Sequence, residues 1–542
     1  MLEPAEGLTS LHAIYQAPNG GRGRRREGPP PPEVVIGTRP LDLGDFERVC
    51  EGGTVGIAAA TRRRIAQSAA ALDAALASGS RIYGVTTRYG AASAEHVPVP
   101  KRRAFQEATL RSHACGTGPP LAWAIARGTW LTKLTAIATG LTGASAELAA
   151  HLCALLGTPF APAVPATGSL GASGDLIPAA HAALPLIGEG EVVDRHGERH
   201  PATHALEAAG LAPLGLGPRD GLSLVNGTSV TTAIGAANCL GASRFLRTAA
   251  VVAAASLETV GGHPEAFSTT VVDARPHPGA QASAQLVRRA LAGFTPPPAG
   301  ASAHDPYAWR CVPQVHGAAG EALDWATRTT VTELNASSDN PICTPGGTIV
   351  SGGNFHGAPL GLPYDALALA IREVAALSRQ RLAHLSELSG GRLVMVLTSA
   401  TAALLEASTL SPATGRWLPA DSVEDHVSNA TVAARRVGDT LDLAWRGLAA
   451  EALGLVATAE ARRVPLRSQA AKRVLALVAA NLTLPLDLDS ALARPLAAIG
   501  AALAAGSLDP SPVGGAPDED ARRNGALPRA GGRRGAGGPK EG

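Results

Sequence analysis

Gly168 to Ala180 reads GSLGASGDLIPAA. Three glycines, two serines and one aspartate precede a turn to apolar residues where a helix can begin. A loop so poor in side chains serves as a hinge, cradles an anion, or uses its own backbone as a reagent. The anion reading is weak. The loop has no Gly-Lys-Ser/Thr of a phosphate-binding loop, and Asp175 at the helix start would repel an anion from the amides there. Ser173 is followed by Gly174 and Asp175 and lacks the second glycine of a Gly-x-Ser-x-Gly nucleophile elbow. Backbone chemistry remains open. In Ala172-Ser173-Gly174 a tight bend, which a residue without Cβ permits, brings the Gly174 nitrogen to the Ala172 carbonyl. Loss of water, including the Ser173 hydroxyl, would leave an exocyclic methylene on a five-membered ring, an electrophile built from the chain itself.

The rest of the chain has to supply a scaffold for such a loop. It has 542 residues, with alanine and leucine dominant and aromatics at 3%. That composition favours amphipathic helices packed side by side over a β-sandwich, so the fold class is mostly α. Net charge is +2, and the arginines are dispersed among acids except in GRGRRR (Gly21 to Arg26) and RAGGRR near the end. A nucleic-acid groove in the folded part is therefore not expected. Both basic runs sit in Gly/Pro-rich ends with little apolar content, and residues 1–33 and 506–542 are read as disordered tails. Between them, 34–210 forms a smaller mixed N-terminal region and 211–505 a long-helix bundle.

Local signals support this division. RPLDLGDFERVCEGG has a capping aspartate and helical spacing, and AAATRRRIAQSAAALDAALASGS continues as a helix that Gly79 ends. RIYGVTTRYG is a β-branched and aromatic run closed by Gly90, and GEVVDRHGERH is a hairpin turning at His196-Gly197. YDALALAIREVAALSRQRLAHLSEL and VAARRVGDTLDLAWRGLAAEALGLVATAEAR are long helices of bundle type. The six cysteines lie far apart with no Cys-x-x-Cys pair, which points to neither a zinc site nor a disulfide framework. No apolar stretch has the length and continuity of a membrane span, and the N-terminus has no apolar core of a signal sequence. A cytoplasmic protein with no membrane partner is expected, and no metal or pyridoxal phosphate anchor is visible.

At this point the chain resembles the aromatic amino acid ammonia-lyases and aminomutases. Those proteins carry GASGDL around a 4-methylidene-imidazol-5-one (MIO) group made from Ala-Ser-Gly. IYGVTTRYG, RSHACGTG, LSLVNGTS, DPYAWRCVPQVHG, ELNASSDNP, GGNFHG and EDHVSNA follow in the family's order, over roughly residues 40 to 465. The resemblance implies the aspartase/fumarase-like long-helix bundle, assembled as a homotetramer whose active sites draw on several subunits. It implies MIO formed autocatalytically from Ala172, Ser173 and Gly174, with Tyr83 as the base for the β-proton and Tyr307 as a second active-site tyrosine. Arg310 matches the arginine that holds the substrate carboxylate, and Asn226 the asparagine that hydrogen-bonds substrate or MIO. Phe355 matches a ring that orients the substrate.

Ser112-His113 stands where the family reads the substrate side chain, and Glu424 matches the acidic residue of histidine ammonia-lyases, where a carboxylate can pair with an imidazole. The resemblance therefore implies an ammonia-lyase turning histidine, or a related aromatic L-amino acid, into the α,β-unsaturated acid, which for histidine is urocanate. A tyrosine-type lyase or a 2,3-aminomutase is the alternative within the family, and a non-catalytic helical homologue acting as a binding subunit the alternative outside it. Departures from the family pattern are Arg88 beside the catalytic-tyrosine loop, His304 for the usual glutamine, Val423 before Glu424, and NGTS in place of the histidine enzymes' NGTQ.

Overall fold

The first helix shows how local chemistry fixes the chain. Asp42 caps Leu43–Cys50, its carboxylate accepting from the Asp45 amide while the Asp45 side chain accepts from the Asp42 amide, a reciprocal box that satisfies two otherwise orphaned donors. Ala59–Ala77 follows, and Gly79 at φ +80° closes it. The hairpin forms as its glycine suggests: Glu191–Val193 pairs antiparallel with Arg199–Pro201, and Gly197 turns at φ +82°. The structure is a computed structural model and describes residues 33–171, 173–296, 304–415 and 424–509. Residues 1–32 and 510–542, which hold nearly all of both expected tails, lie outside it, as do Ala172 and Val423. The packed chain runs beyond the boundary expected at 505, because Leu508 is buried and Asp509 pairs with Arg247 at 2.6 Å.

The centre is a bundle of long helices, Ser229–Val260, Val312–Leu334, Ala358–Leu388 and Ala430–Arg462, with Trp123–Ala138 laid against the first of them. Small residues let these helices approach. A Cβ on Gly235 would fall 1.8 Å from the Tyr364 hydroxyl, and one on Gly454 2.5 Å from Leu382, so both glycines are receptor sites for a partner helix's side chain. Ser229–Val260 is long and apolar enough to cross a membrane, more so than the sequence suggested, and 72% of its apolar window is buried inside the protein. It is the bundle's core helix. One apolar cluster draws buried residues from Val34 to Leu508, so the N-terminal region and the bundle share a core.

Two features of the bundle matter for function. The Arg381 and Glu451 side chains, both fully buried, pair at 2.5 Å between Ala358–Leu388 and Ala430–Arg462, and Arg381 also donates to the Ala308 carbonyl at 3.1 Å. This fixes the short turn Tyr307–Arg310 to the bundle. The strands are short and pair two or three to a sheet, Ala161–Pro162 adding a third strand to the Glu191–Val193 and Arg199–Pro201 hairpin. Thr117–Pro120 with Pro165–Thr167 leads into the glycine loop, and Ile342–Cys343 with Ile349–Val350 leads into GGNFHG.

His316, on Val312–Leu334, is fully buried with neither ring nitrogen hydrogen-bonded among the described residues. Burial, and then the nearby Arg381 charge, push its pKa down to about 3 from 6.5. Between those values the unfolded chain binds a proton that the folded chain refuses, so stability falls as pH drops from 6.5 towards 3. Replacing His316 by Leu should flatten the acid limb of unfolding free energy against pH, measured by denaturant unfolding, by roughly 1.4 kcal/mol per pH unit within that window. An unchanged limb would show that other groups carry the acid sensitivity.

Candidate active site

The glycine loop is held by backbone pressed on backbone. Gly174 (φ +83°) bridges to Gly227 (φ +99°), and a Cβ on Gly174 would lie 2.2 Å from the Gly227 carbonyl oxygen. Gly171 (φ +70°) is packed as closely on Ser428, whose Oγ would sit 2.1 Å from an added Cβ. Both positions combine a left-handed backbone with no room for a side chain, which only glycine meets.

Asp175 locks the loop from below. Its amide donates to the Gly227 carbonyl at 2.8 Å, and its buried carboxylate accepts from the Thr231 amide at 2.7 Å. The hydroxyls of Thr231, Thr431 and Ser169 lie 2.7 to 3.0 Å from its Oδ1. Its charge is therefore spent inward on donors of two bundle helices, not outward at the helix start.

Under Asn226 lies a second buried network. Lys133 donates from Nζ to the carbonyls of Ser223 and Asn226 at 2.8 and 2.7 Å, and burial lowers its pKa to about 8. The Asn226 amide donates to Asp339 Oδ1 at 3.1 Å and to the Asn340 carbonyl at 3.0 Å, and Arg219 holds the same Asp339 oxygen at 2.9 Å. Sequence reading missed Lys133. Its signal is a lone lysine in the Ala/Leu-rich LTKLTAIATG, where a charge survives only if it meets acceptors.

Tyr83 sits in a tight turn, so the β-branched and aromatic run RIYGVTTRYG does not form a strand there. Thr86 Oγ1 accepts from the Ile82 amide at 2.7 Å and closes the turn. Fully buried Gln106 ties it to the next element, donating to the Gly84 carbonyl at 2.9 Å and accepting from the Leu222 amide at 2.8 Å. The Tyr83 hydroxyl accepts from the Gly90 amide at 3.0 Å. Its neighbour Tyr89, in edge contact at 6.1 Å, is pushed up to about 12 by burial and stays a neutral ring.

These elements enclose a cavity of about 660 Å³ lined by Tyr83, His113, Ser173, Asn226, Phe355 and Glu424, all expected from the sequence. Ser173 Oγ donates to Glu424 Oε1 at 2.6 Å. The His113 Nδ1 lies 2.8 Å from the Thr109 carbonyl, which fixes the neutral ring's proton on Nδ1 and leaves Nε2 as an acceptor.

Two further lining residues, His356 and His426, were overlooked although each stands one or two positions after a residue singled out in the same motif. The Ala358 amide donates to His356 Nδ1 at 3.2 Å, so the His356 proton sits on Nε2 and is given to His426 Nδ1 at 3.0 Å. Burial and the second imidazole lower the His356 pKa, since two adjacent rings resist sharing positive charge.

Tyr307 and Arg310 are not brought to this cavity within the chain. Tyr307 is 68% exposed, with the Arg310 guanidinium 4.8 Å over its ring and the Arg310 Nε buried without a hydrogen-bond partner among the described residues. Arg88 turns away to an exposed pair with Glu95 at 2.9 Å, and His304 is exposed outside the cavity lining.

The family model for aromatic amino acid lyase matches residues 41–480. The chain belongs to that family. It is 36% identical over 505 residues to a histidine ammonia-lyase of Sorangium cellulosum, covering 86% of this chain and 98% of that one. A tyrosine ammonia-lyase of Cereibacter sphaeroides is 34% identical over 533 residues, covering 90% and 99%. Among solved structures, tyrosine aminomutase from Streptomyces globisporus superposes with a TM-score of 0.81 at 29% identity, over 88% of this chain and 97% of that one. This aromatic amino acid lyase is accordingly a carbon–nitrogen lyase with the long-helix fold of its family.

The Gly174 contact makes a direct stability test. Gly79 has a similar φ of +80° and nothing within 4 Å of an added Cβ, so Gly79→Ala should cost only the ~1–2 kcal/mol of the left-handed backbone. Gly174→Ala adds the clash with Gly227 and should cost more, with earlier hydrogen exchange at the Asp175 amide. Equal losses in denaturant unfolding would show that the two backbones are not locked together.

Proposed function

We propose that this lyase eliminates ammonia from histidine to give urocanate, using MIO formed from Ala172-Ser173-Gly174. The observation that carries this reading is Glu424 on the Ser173 hydroxyl at 2.6 Å in the cavity that also holds His113 and Tyr83. A carboxylate and an imidazole nitrogen acceptor facing one cavity suit a substrate ring that carries an N–H. The curated histidine ammonia-lyase at 36% identity supports the same substrate.

The residues present fit MIO. Gly174 has a backbone that no other residue tolerates, and Asp175 and Gly227 clamp the loop from one side while the Ser173 side chain faces the cavity. When formed, the group supplies an electrophile that takes the substrate amine and makes it a better leaving group. The chain's own residues do the rest. Tyr83 Oη is placed to take the β-proton, and the Gly90 N–H aimed at it stabilises the phenolate that accepts that proton. The rigid Lys133–Asn226–Asp339 network fixes the cavity wall behind Asn226, and Phe355 packs on the substrate ring.

A carboxylate anchor is still required, and we assign it to Arg310 of a neighbouring subunit in a homotetramer. The support is the buried Nε of Arg310, without a hydrogen-bond partner among the described residues, the exposed Tyr307 ring, and the exposed Leu362 and Leu369 on Ala358–Leu388 and Met395 on Val394–Thr409. A cytoplasmic location is part of the same proposal, supported by six cysteines without pairing spacing. The second reading, a tyrosine lyase or an aminomutase that returns the amine to the β-carbon, is favoured by NGTS at 226–229 and by the tyrosine aminomutase likeness.

Incubation with histidine, tyrosine and phenylalanine separately decides between them, followed by ultraviolet absorbance for the unsaturated acid and mass spectrometry for β-amino acids. Urocanate is expected from histidine, lost in Ser173→Ala and slowed about 10²–10⁴-fold in kcat by Tyr83→Phe. A β-amino acid, or product from tyrosine alone, would replace the histidine reading. For the shared site, Tyr83→Phe and Arg310→Ala chains, each nearly inactive alone, should regain part of native activity when co-expressed. No regain would place both residues in one subunit's site.

A further inference from the structure

The contact between Ser173 and Glu424 exists in the unmodified chain, before any substrate is present. Its length of 2.6 Å puts the two oxygens within proton-transfer reach: the Ser173 hydroxyl donates in the resting pair, and a proton that the Glu424 carboxylate takes from cavity water lies on the same line. Serine does not shed hydroxide unaided, because the leaving oxygen needs a proton, and a carboxyl on the same oxygen-to-oxygen line is the group to give it. We propose that Glu424 is the acid that removes the Ser173 hydroxyl during maturation of the loop, so that one carboxylate first helps to build the electrophile and later faces the substrate. The proposal rests on the reading that Ala172-Ser173-Gly174 becomes MIO.

The step balances as a dehydration. The Ser173 Cα–H bond breaks, and its electron pair becomes the second bond between Cα and Cβ. The Cβ–Oγ bond breaks with its pair on Oγ. That oxygen, carrying its own hydrogen and the proton of the Glu424 carboxyl, leaves as water. The Cα proton passes to water in the cavity, which returns one to the Glu424 carboxylate. One water is lost and no oxidant or reductant is used.

The other carboxylate of the loop is unsuited to this task. Asp175 is buried, its oxygens are engaged by the Thr231 amide and by the hydroxyls of Thr231, Thr431 and Ser169, and it holds the backbone in place. Glu424 stands exposed on the wall of an open cavity of about 660 Å³, where water can reload it and carry the product water away. The glycine contacts set the bend, and Glu424 sets the chemistry of the hydroxyl. The two requirements fall on different residues and are separable by mutation.

The test is a timed intact-mass measurement on full-length chains made by cell-free synthesis, native and with Glu424→Gln, Glu424→Asp or Ser173→Ala. MIO absorbance is followed in parallel, and assembly mass and melting temperature report folding. The native chain should lose the mass of two waters. Glu424→Gln keeps a hydrogen bond to Ser173 but has no acid proton, and the Ser173 water should leave about 10²–10⁴-fold more slowly. Glu424→Asp should fall between the two, and Ser173→Ala should never lose that water. Loss at the native rate in Glu424→Gln overturns the inference and leaves the MIO reading standing. A native chain that never loses water overturns the MIO reading itself. If Glu424→Gln fails to assemble, Glu424→Asp decides, slowing supporting the inference and a native rate overturning it.

Discussion

A Cβ on Gly174 would overlap the Gly227 carbonyl oxygen at 2.2 Å, and the site is arranged around keeping those two backbones that close. The contact joins the glycine loop to the start of the core helix Ser229–Val260, and Asp175 doubles it by donating to the same carbonyl and accepting from Thr231 one turn along. Thr431, on Ala430–Arg462, reaches the same carboxylate. Three segments far apart in sequence thus meet on one buried charge, which is held by donors enough to offset its desolvation. The loop cannot relax without unmaking the bundle beneath it. That rigidity is what a tight backbone bend needs in order to persist.

The cavity separates its charges by solvation. Asp175 and Lys133 lie beneath the surface, Asp175 held by four donors and Lys133 donating to two carbonyls, so they set position. Glu424 and His426 are exposed on the cavity wall and can exchange with water. The two tyrosines divide in the same way. Both rings are partly buried; desolvation keeps Tyr89 neutral, while the Tyr83 oxygen has an N–H pointing at it. Environment, not residue type, assigns structural and chemical roles here.

Much of this was legible in the chain. Asp42, Gly79 and Gly197 mark their boundaries because caps and turns are local chemistry, and the Ala/Leu periodicity announces the bundle. The cavity lining was readable because motifs already quoted supply Tyr83, His113, Asn226, Phe355 and Glu424. What stayed hidden depends on contacts between distant segments. The aromatic content of RIYGVTTRYG suggests extension, yet Gln106 and Thr86 fold it into a turn. The His356–His426 pair spans 70 positions, and no spacing rule links them. The Ser229–Val260 helix reads as two possible things from composition, and only its burial chooses.

The position of Arg310 follows from the same physics. Arg381, paired with fully buried Glu451, anchors the Ala308 carbonyl and with it the Tyr307–Arg310 turn. A buried ion pair of this kind contributes less to stability than to a unique geometry, since its Coulomb gain is set against the desolvation of both partners. Here the geometry it specifies is a turn that keeps Tyr307 at the surface and leaves Arg310 Nε without a hydrogen-bond partner among the described residues. A buried donor without an acceptor costs free energy. An acceptor oxygen placed against that N–H recovers it. The Arg381–Glu451 pair therefore holds that donor in place beside the exposed Tyr307 ring.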